Sequence, residues 1–159
     1  MQELAAELDV SRATLFRWVG GRNELLAEVL WSLAEPTLAA VVARTPGGGG
    51  RRIATILGGF AAELNAASYF RTFLRRDPER ALRILTTQAG SVQMRVMGAV
   101  EKLLAEETDA GRLVPPLPLP DTAYILVRIL ESFVYADLIT GATPDAAKVE
   151  QATAALLGA

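Results

Sequence analysis

Proline and glycine decide where this chain can be helical, and nearly everything between them has a helical pattern. Val114-Pro115-Pro116-Leu117-Pro118-Leu119-Pro120 carries four prolines in seven residues. Each fixes φ and removes a backbone donor, so the segment is expected to be an extended, polyproline-like crossover. Thr45-Pro46 followed by the run Gly47 to Gly50 suits neither helix nor strand interiors and is expected to be a flexible joint. Shorter stops stand at Gly20-Gly21, Gly90, Gly111 and Gly141. Ser11, Asn23, Ser68, Asp77, Ser91 and Asp121 each precede a helical pattern and can cap first-turn amides, while Pro78 and Pro144 take first-turn positions. Within a segment the apolar spacing is close to 3.6: Val96, Val100, Leu103 and Leu104 oppose Glu101, Glu106 and Glu107. No stretch alternates with period two. The expectation is an all-α chain of about eight helices, near 2 to 8, 12 to 19, 23 to 44, 51 to 67, 69 to 87, 92 to 110, 122 to 140 and 145 to 157.

Composition narrows the chemistry. With 51% hydrophobic and 21% charged residues over 159 positions, the chain can bury a core. A net charge of -2 argues against coating nucleic acid through bulk charge, so any such contact must be local. The chain has no Cys and no His, which removes thiolate nucleophiles, imidazole bases and nearly all zinc chemistry. Gly47 to Gly50 lack the Gly-Lys-Ser/Thr ending of a phosphate loop, and the carboxylates show no recognisable catalytic pairing. The expectation is a protein that is not an enzyme, with no cofactor and no metal. Charges or prolines interrupt each apolar run short of the roughly 18 residues of a membrane span, and the N-terminus lacks a basic, then apolar, leader. A cytoplasmic protein without membrane contact is expected.

The local nucleic-acid contact has a place. Gln2 to Leu8 forms a short amphipathic pattern with Leu4, Ala5 and Leu8 inward, Asp9-Val10 makes a tight turn, and Ser11 caps a second short helix, which is helix-turn-helix spacing. On that second helix Leu15 and Val19 face the first, while Ala13, Thr14, Arg17 and Trp18 project outward. An outward face of this kind can enter a major groove: Arg17 suits guanine edges or phosphate, Thr14 a phosphate or base edge, and Ala13 a thymine methyl. Arg22 suits a phosphate clamp. The same spacing also occurs in helical hairpins that merely pack on a core.

The stretch from Leu4 to Leu26, LAAELDVSRATLFRWVGGRNELL, resembles the helix-turn-helix and linker start of the TetR family of transcriptional regulators almost position by position. The resemblance implies a TetR-like fold: a DNA-binding domain with linker helix over 1–34 and a helical ligand-binding and dimerisation domain over 35–159. It implies a DNA-facing set of Arg12, Ala13, Thr14, Phe16, Arg17, Trp18 and Arg22. Family members begin with a further helix under this motif, so a DNA-binding domain lacking that helix is expected. The family's usual turn glycine is Asp9 here, and its usual recognition-helix tyrosine is Phe16, which has no hydroxyl for a phosphate.

Large side chains gather mid-chain at Phe60, Leu64, Tyr69, Phe70, Phe73, Leu74, Met94, Met97, Phe133 and Tyr135, as either plain core or the wall of a pocket for a small apolar effector. Asp121, Tyr124, Arg128, Glu131, Ser132 and Tyr135 share one narrow polar face, for solvent, a dimer seam or a ligand head group. The ligand set expected is Phe60, Leu64, Phe70, Phe73, Met94, Met97, Arg128, Ser132 and Tyr135. Alanine-rich Ala146, Ala147, Ala152, Ala154 and Ala155 favour a homodimer through the last two helices. An arginine cluster, Arg71, Arg75, Arg76, Arg80 and Arg83, is expected to be a solvated face with Glu79 pairing Arg83. The segments Phe73 to Arg83 and Glu131 to Asp137 resemble the QsdR-type subgroup of the family, which implies a lactone-like effector. The leading expectation is a repressor released from a double-stranded DNA operator by its effector. The alternative is an interaction protein that no longer contacts DNA and dimerises with a related regulator.

Overall fold

The computed structural model describes residues 1–88 and 90–159, and among them lie ten helices and no strand. They are α1 (Gln2–Glu7), α2 (Arg12–Val19), α3 (Arg22–Arg44), α4 (Gly49–Ala66), α5 (Ser68–Arg76), α6 (Pro78–Thr86), α7 (Ser91–Asp109), α8 (Leu119–Val134), α9 (Ala136–Ile139) and α10 (Ala146–Leu156). The all-α expectation holds. The count exceeds eight because two expected helices each break once.

The expected helix 69–87 breaks between α5 and α6. Asp77 precedes a proline, which disfavours helical ψ, and its carboxylate accepts from the Arg80 amide at 3.2 Å to cap the new start. The expected helix 122–140 starts earlier, at Leu119 with Pro120 in its first turn, and ends at Val134. Its end has a tertiary cause. The Arg71 guanidinium donates to the Val134 carbonyl at 3.1 Å and ion-pairs with Asp137, while the Asp145 amide donates to the Phe133 carbonyl. Caps also shift: only Ser11 and Asp77 of the expected six accept at their helix starts, and Asp145, not Pro144, opens α10.

The glycine run is a packed turn rather than a loose joint. Gly49 and Gly50 are buried at the start of α4, and the Gly49 backbone takes φ +70° with a Cβ position 2.7 Å from the Arg112 carbonyl oxygen. No side chain has room there. The crossover is free of helix up to Pro118 but bends at Pro116 and Leu117, and its last two residues, expected to be extended, open α8.

Isoleucines 53, 56 and 84 and leucines 57, 74, 104 and 126 form the centre of one core shared by α4 to α8. α10 lies most extensively on α4. α3 packs on α4, α6 and α7, and it runs unbroken through Pro36 and across the expected domain boundary at residue 34. Contrary to the expectation from charge spacing, α3 is by length and composition apolar enough to span a membrane, with a mean hydropathy of 1.5 over 18 residues. The same stretch supplies Ala27, Leu30, Leu38 and Val41 to the core, which accounts for its apolar composition.

Candidate functional site

The N-terminal hairpin presents α2 outward. Ser11 Oγ accepts from the Thr14 amide at 3.0 Å and lies 2.8 Å from the Thr14 hydroxyl, fixing the first turn. Leu15 is buried against α1 together with Ala5, but Leu8, expected inward, is 52% exposed because α1 ends at Glu7 and Leu8 belongs to the turn. Asp9 has φ +52°, the left-handed conformation that the expected turn glycine would adopt freely. On the outer face Arg12, Ala13, Phe16, Arg17 and Trp18 are exposed, the two aromatic rings at 63% each, and Thr14 is half-buried. Arg22 is exposed one residue into α3, with Gly21 in the capping position. Six of the seven are therefore exposed, and their surface wraps around α2 and the start of α3, leaving only the side turned to α1 covered.

α3 joins that surface to a cavity in the helical body. Leu30 and Ala34 of α3, Phe60 and Leu64 of α4, Tyr69 and Phe70 of α5, Gln93 and Val96 of α7, and Glu131 and Tyr135 from α8 and its end all line it. Its volume is about 40 Å³, room for a few water molecules. Of the nine expected ligand residues, four are brought together here: Phe60, Leu64, Phe70 and Tyr135. The other five do not line the cavity. Met94 is 58% exposed, and Phe73 and Met97 pack half-buried against the core. Arg128 and Ser132 lie on the outer side of α8 because the polar face splits: Asp121, Tyr124, Arg128 and Ser132 are exposed, while Glu131 and Tyr135 turn inward. A helix packed against α7, α10 and α4 has no single inside. Leu30, Ala34 and Gln93 were missed because their own helices read as ordinary amphipathic segments. Glu131, noted in the polar face, is distinguished only by burial.

Glu131 is 5% exposed. Arg128 Nη1 donates to its Oε2 at 2.5 Å, and the Gln93 amide, oriented with its nitrogen toward acceptors, donates to Oε1 and to the Leu85 carbonyl. Burial dominates the Arg128 charge and pushes the carboxyl up to about 7. Tyr135, 6% exposed, packs tilted on Phe70 with ring centres 6.3 Å apart, and burial followed by the Glu131 charge drives its phenol upward.

α7 also holds α3 directly. Two residues beyond Gln93, Arg95 forms a two-pronged ion pair with Glu28, and its guanidinium lies 6.0 Å from the Trp31 ring centre. The arginine cluster is partly spoken for: Arg71 holds the end of α8, Arg80 pairs with Asp77 at 3.4 Å, and the expected Glu79–Arg83 pair is not formed.

Residues 48–158 match the family model described as "Tetracyclin repressor-like, C-terminal domain". The chain belongs to the TetR family. It is also similar to the solved structure of the transcriptional repressor QsdR from R. erythropolis, at 30% identity and a TM-score of 0.90, covering 99% of this chain and 83% of that one. No curated protein matches. TetR-family membership gives the exposed α2 and the cavity their context: a transcriptional regulator's fold, in which binding of DNA operators, binding of ligands and dimerisation are typical, and which is not in general an enzyme's.

Proposed function

We propose that this chain is a cytoplasmic, ligand-responsive repressor, with residues 1–34 reading DNA and residues 35–159 binding an effector and dimerising. One observation carries the reading: a single continuous helix, α3, begins two residues after the recognition helix α2 and supplies Leu30 and Ala34 to the cavity wall. At about 40 Å³ the cavity must widen for any drug-sized molecule. Widening displaces α3, and α2 with it, so an effector that prefers the widened state lowers operator affinity.

Arg12, Ala13, Thr14, Phe16, Arg17, Trp18 and Arg22 form the DNA face, with Phe16 and Trp18 supplying apolar contact in place of a phenol hydroxyl. A homodimer built on the outer faces of α8 and α10, where Tyr124, Arg128, Ser132, Ala147, Gln151 and Ala155 are accessible or small, sets the two readers for a pseudo-palindrome. The effector is a small apolar molecule, with a lactone-like compound as the first class to try. The exposed α2 face supports this reading over an interaction protein without DNA contact.

The test is operator binding to the intergenic DNA upstream of the chain's own coding sequence, at fixed salt. A two-fold footprint is expected, and the double variant Arg17→Ala, Thr14→Ala should weaken it by at least ten-fold. Binding that survives the double variant unchanged overturns the reading.

A further inference from the structure

The arginines of α5 and α6 have no part in the DNA face described above, and the structure divides them. Arg71 turns inward to the end of α8, and Arg80 pairs with Asp77 at 3.4 Å while 38% of its side chain stays exposed. Arg75, Arg76 and Arg83 are exposed and form no ion pair among the described residues.

Their place is set by α6, which packs on α3. Arg76 and Arg80 line an open groove with Arg22 and Leu26, in the first two turns of α3. Arg80 and Arg83 line a second hollow with Asn23. Arg76, Arg80 and Arg83 are therefore strung out beside the point where the N-terminal hairpin joins the helical body. Arg75, next to Arg76 in the chain, lines neither hollow. Of the acids there, Asp77 is engaged by Arg80 and by the cap of α6, which leaves Arg22, Arg76 and Arg83 against Glu3 and Glu79.

This arrangement suits a polyanion better than a single anion. One phosphate or carboxylate needs donors that converge on a point, and neither hollow holds Arg76, Arg80 and Arg83 together. A nucleic-acid backbone presents its charges in a line, and exposed guanidinium groups meet such a line one phosphate at a time. A net charge of -2 over the whole chain leaves this attraction to local groups of exactly such a kind.

We propose that Arg76, Arg80 and Arg83 extend the DNA face past Arg22 onto the helical body, where they contact backbone phosphates of the double strand beyond the bases that α2 reads. The proposal rests on α2 reading DNA, and it adds contacts that hold the protein on the duplex without carrying sequence information.

The test is fluorescence anisotropy on the full chain with two duplexes of equal length, the operator and a scrambled sequence, from about 50 to about 200 mM salt. The double variant Arg76→Ala, Arg83→Ala leaves the Asp77 cap of α6 in place. It should weaken both duplexes alike, by about thirty-fold at the low end and about two-fold at the high end, so that log K falls less steeply with log salt by about two. Arg75→Ala should leave affinity and slope as in the wild type. A double variant with the wild-type slope overturns the proposal, as does a loss confined to the operator or an equal loss from Arg75→Ala. Pyrophosphate titrated by NMR tests the other source of phosphate: binding at least ten-fold tighter to the wild type than to the double variant makes the row a small-anion site and overturns the proposal as well. Wild-type protein that binds neither duplex overturns the reading of α2 together with this one, whereas an intact wild-type footprint with unchanged slopes overturns this one alone.

Discussion

Glu107 and Glu131 are both glutamates buried in the same helical body, at 1% and 5% exposure, and they titrate in opposite directions. Glu107 accepts from Arg112 Nε at 2.6 Å, the Gly49 amide at 2.7 Å and Arg52 Nη1 at 3.1 Å. Those donors, Arg112 foremost, outweigh desolvation and hold its carboxyl down at about 2. Arg52 also donates to the Thr45 and Val42 carbonyls, so one network closes the end of α3, the glycine turn and the end of α7. Glu131 has one half-exposed cation and one amide, and desolvation wins. The difference teaches that burial alone does not fix how a carboxylate titrates, whether it closes a turn or lines a cavity. The number and charge of its donors do.

The strongest way to break this comparison is Glu107→Ala. It strands the Gly49 amide and the half-buried Arg52 together, and it should cost about 3 kcal/mol or more, read by denaturant unfolding. A loss below about 1 kcal/mol would place Glu107 with ordinary surface ion pairs.

The next effect is in the pH dependence. The folded-state carboxyl of Glu131 lies near 7 against an ordinary 4.5, so the folded state binds the extra proton between those values. Its contribution is present in full below about pH 4.5 and is lost as pH rises through 7, by at most about 3 kcal/mol. Glu131→Gln should remove that decline, so the stability difference between variant and wild type should move in the variant's favour from pH 5 to 8. Glu107 has the opposite sign: its contribution is present above about pH 4.5 and is lost as pH falls through about 2. Parallel curves for wild type and Glu131→Gln would contradict the assignment.

Removing the exposed partner of each carboxylate sharpens the contrast. Arg112→Ala should destabilise the fold at pH 7 by less than Glu107→Ala, because the Arg112 guanidinium is half exposed and its charged hydrogen bond is screened by solvent. Arg128→Ala should cost less at pH 7, because Glu131 can take a proton in place of its cation and titrate higher still. Thermal unfolding of both variants at pH 6 and 8 distinguishes the two behaviours.

The N-terminal hairpin, with no buried carboxylate, should show only small, local effects. Ser11→Ala removes the α2 cap and should cost about 1 kcal/mol. At Asp9, Asp9→Ala should cost up to about 1 kcal/mol, whereas Asp9→Gly should be neutral within about 0.5 kcal/mol, since glycine's ease at positive φ offsets its greater freedom when unfolded. Hydrogen exchange in α1 and α2 reports both.

What the sequence determined by itself was local. Ser11 capping α2, the exposed residues between Arg12 and Trp18, the helical character of each segment and the break in helix at the proline-rich crossover all depend on groups within a few residues of one another. Four cavity residues were also legible, because large aromatic and aliphatic side chains in an apolar segment must go inward. Tertiary structure decided the rest. Arg71 ends α8 from 63 residues away, and Glu107 makes a packed turn of a glycine run from 58 residues away. Periodicity places residues on a helix face, but the neighbours packed around that helix decide which part of the face is inside. That is why Arg128 and Glu131, three residues apart in one polar stripe, end on opposite sides of the wall.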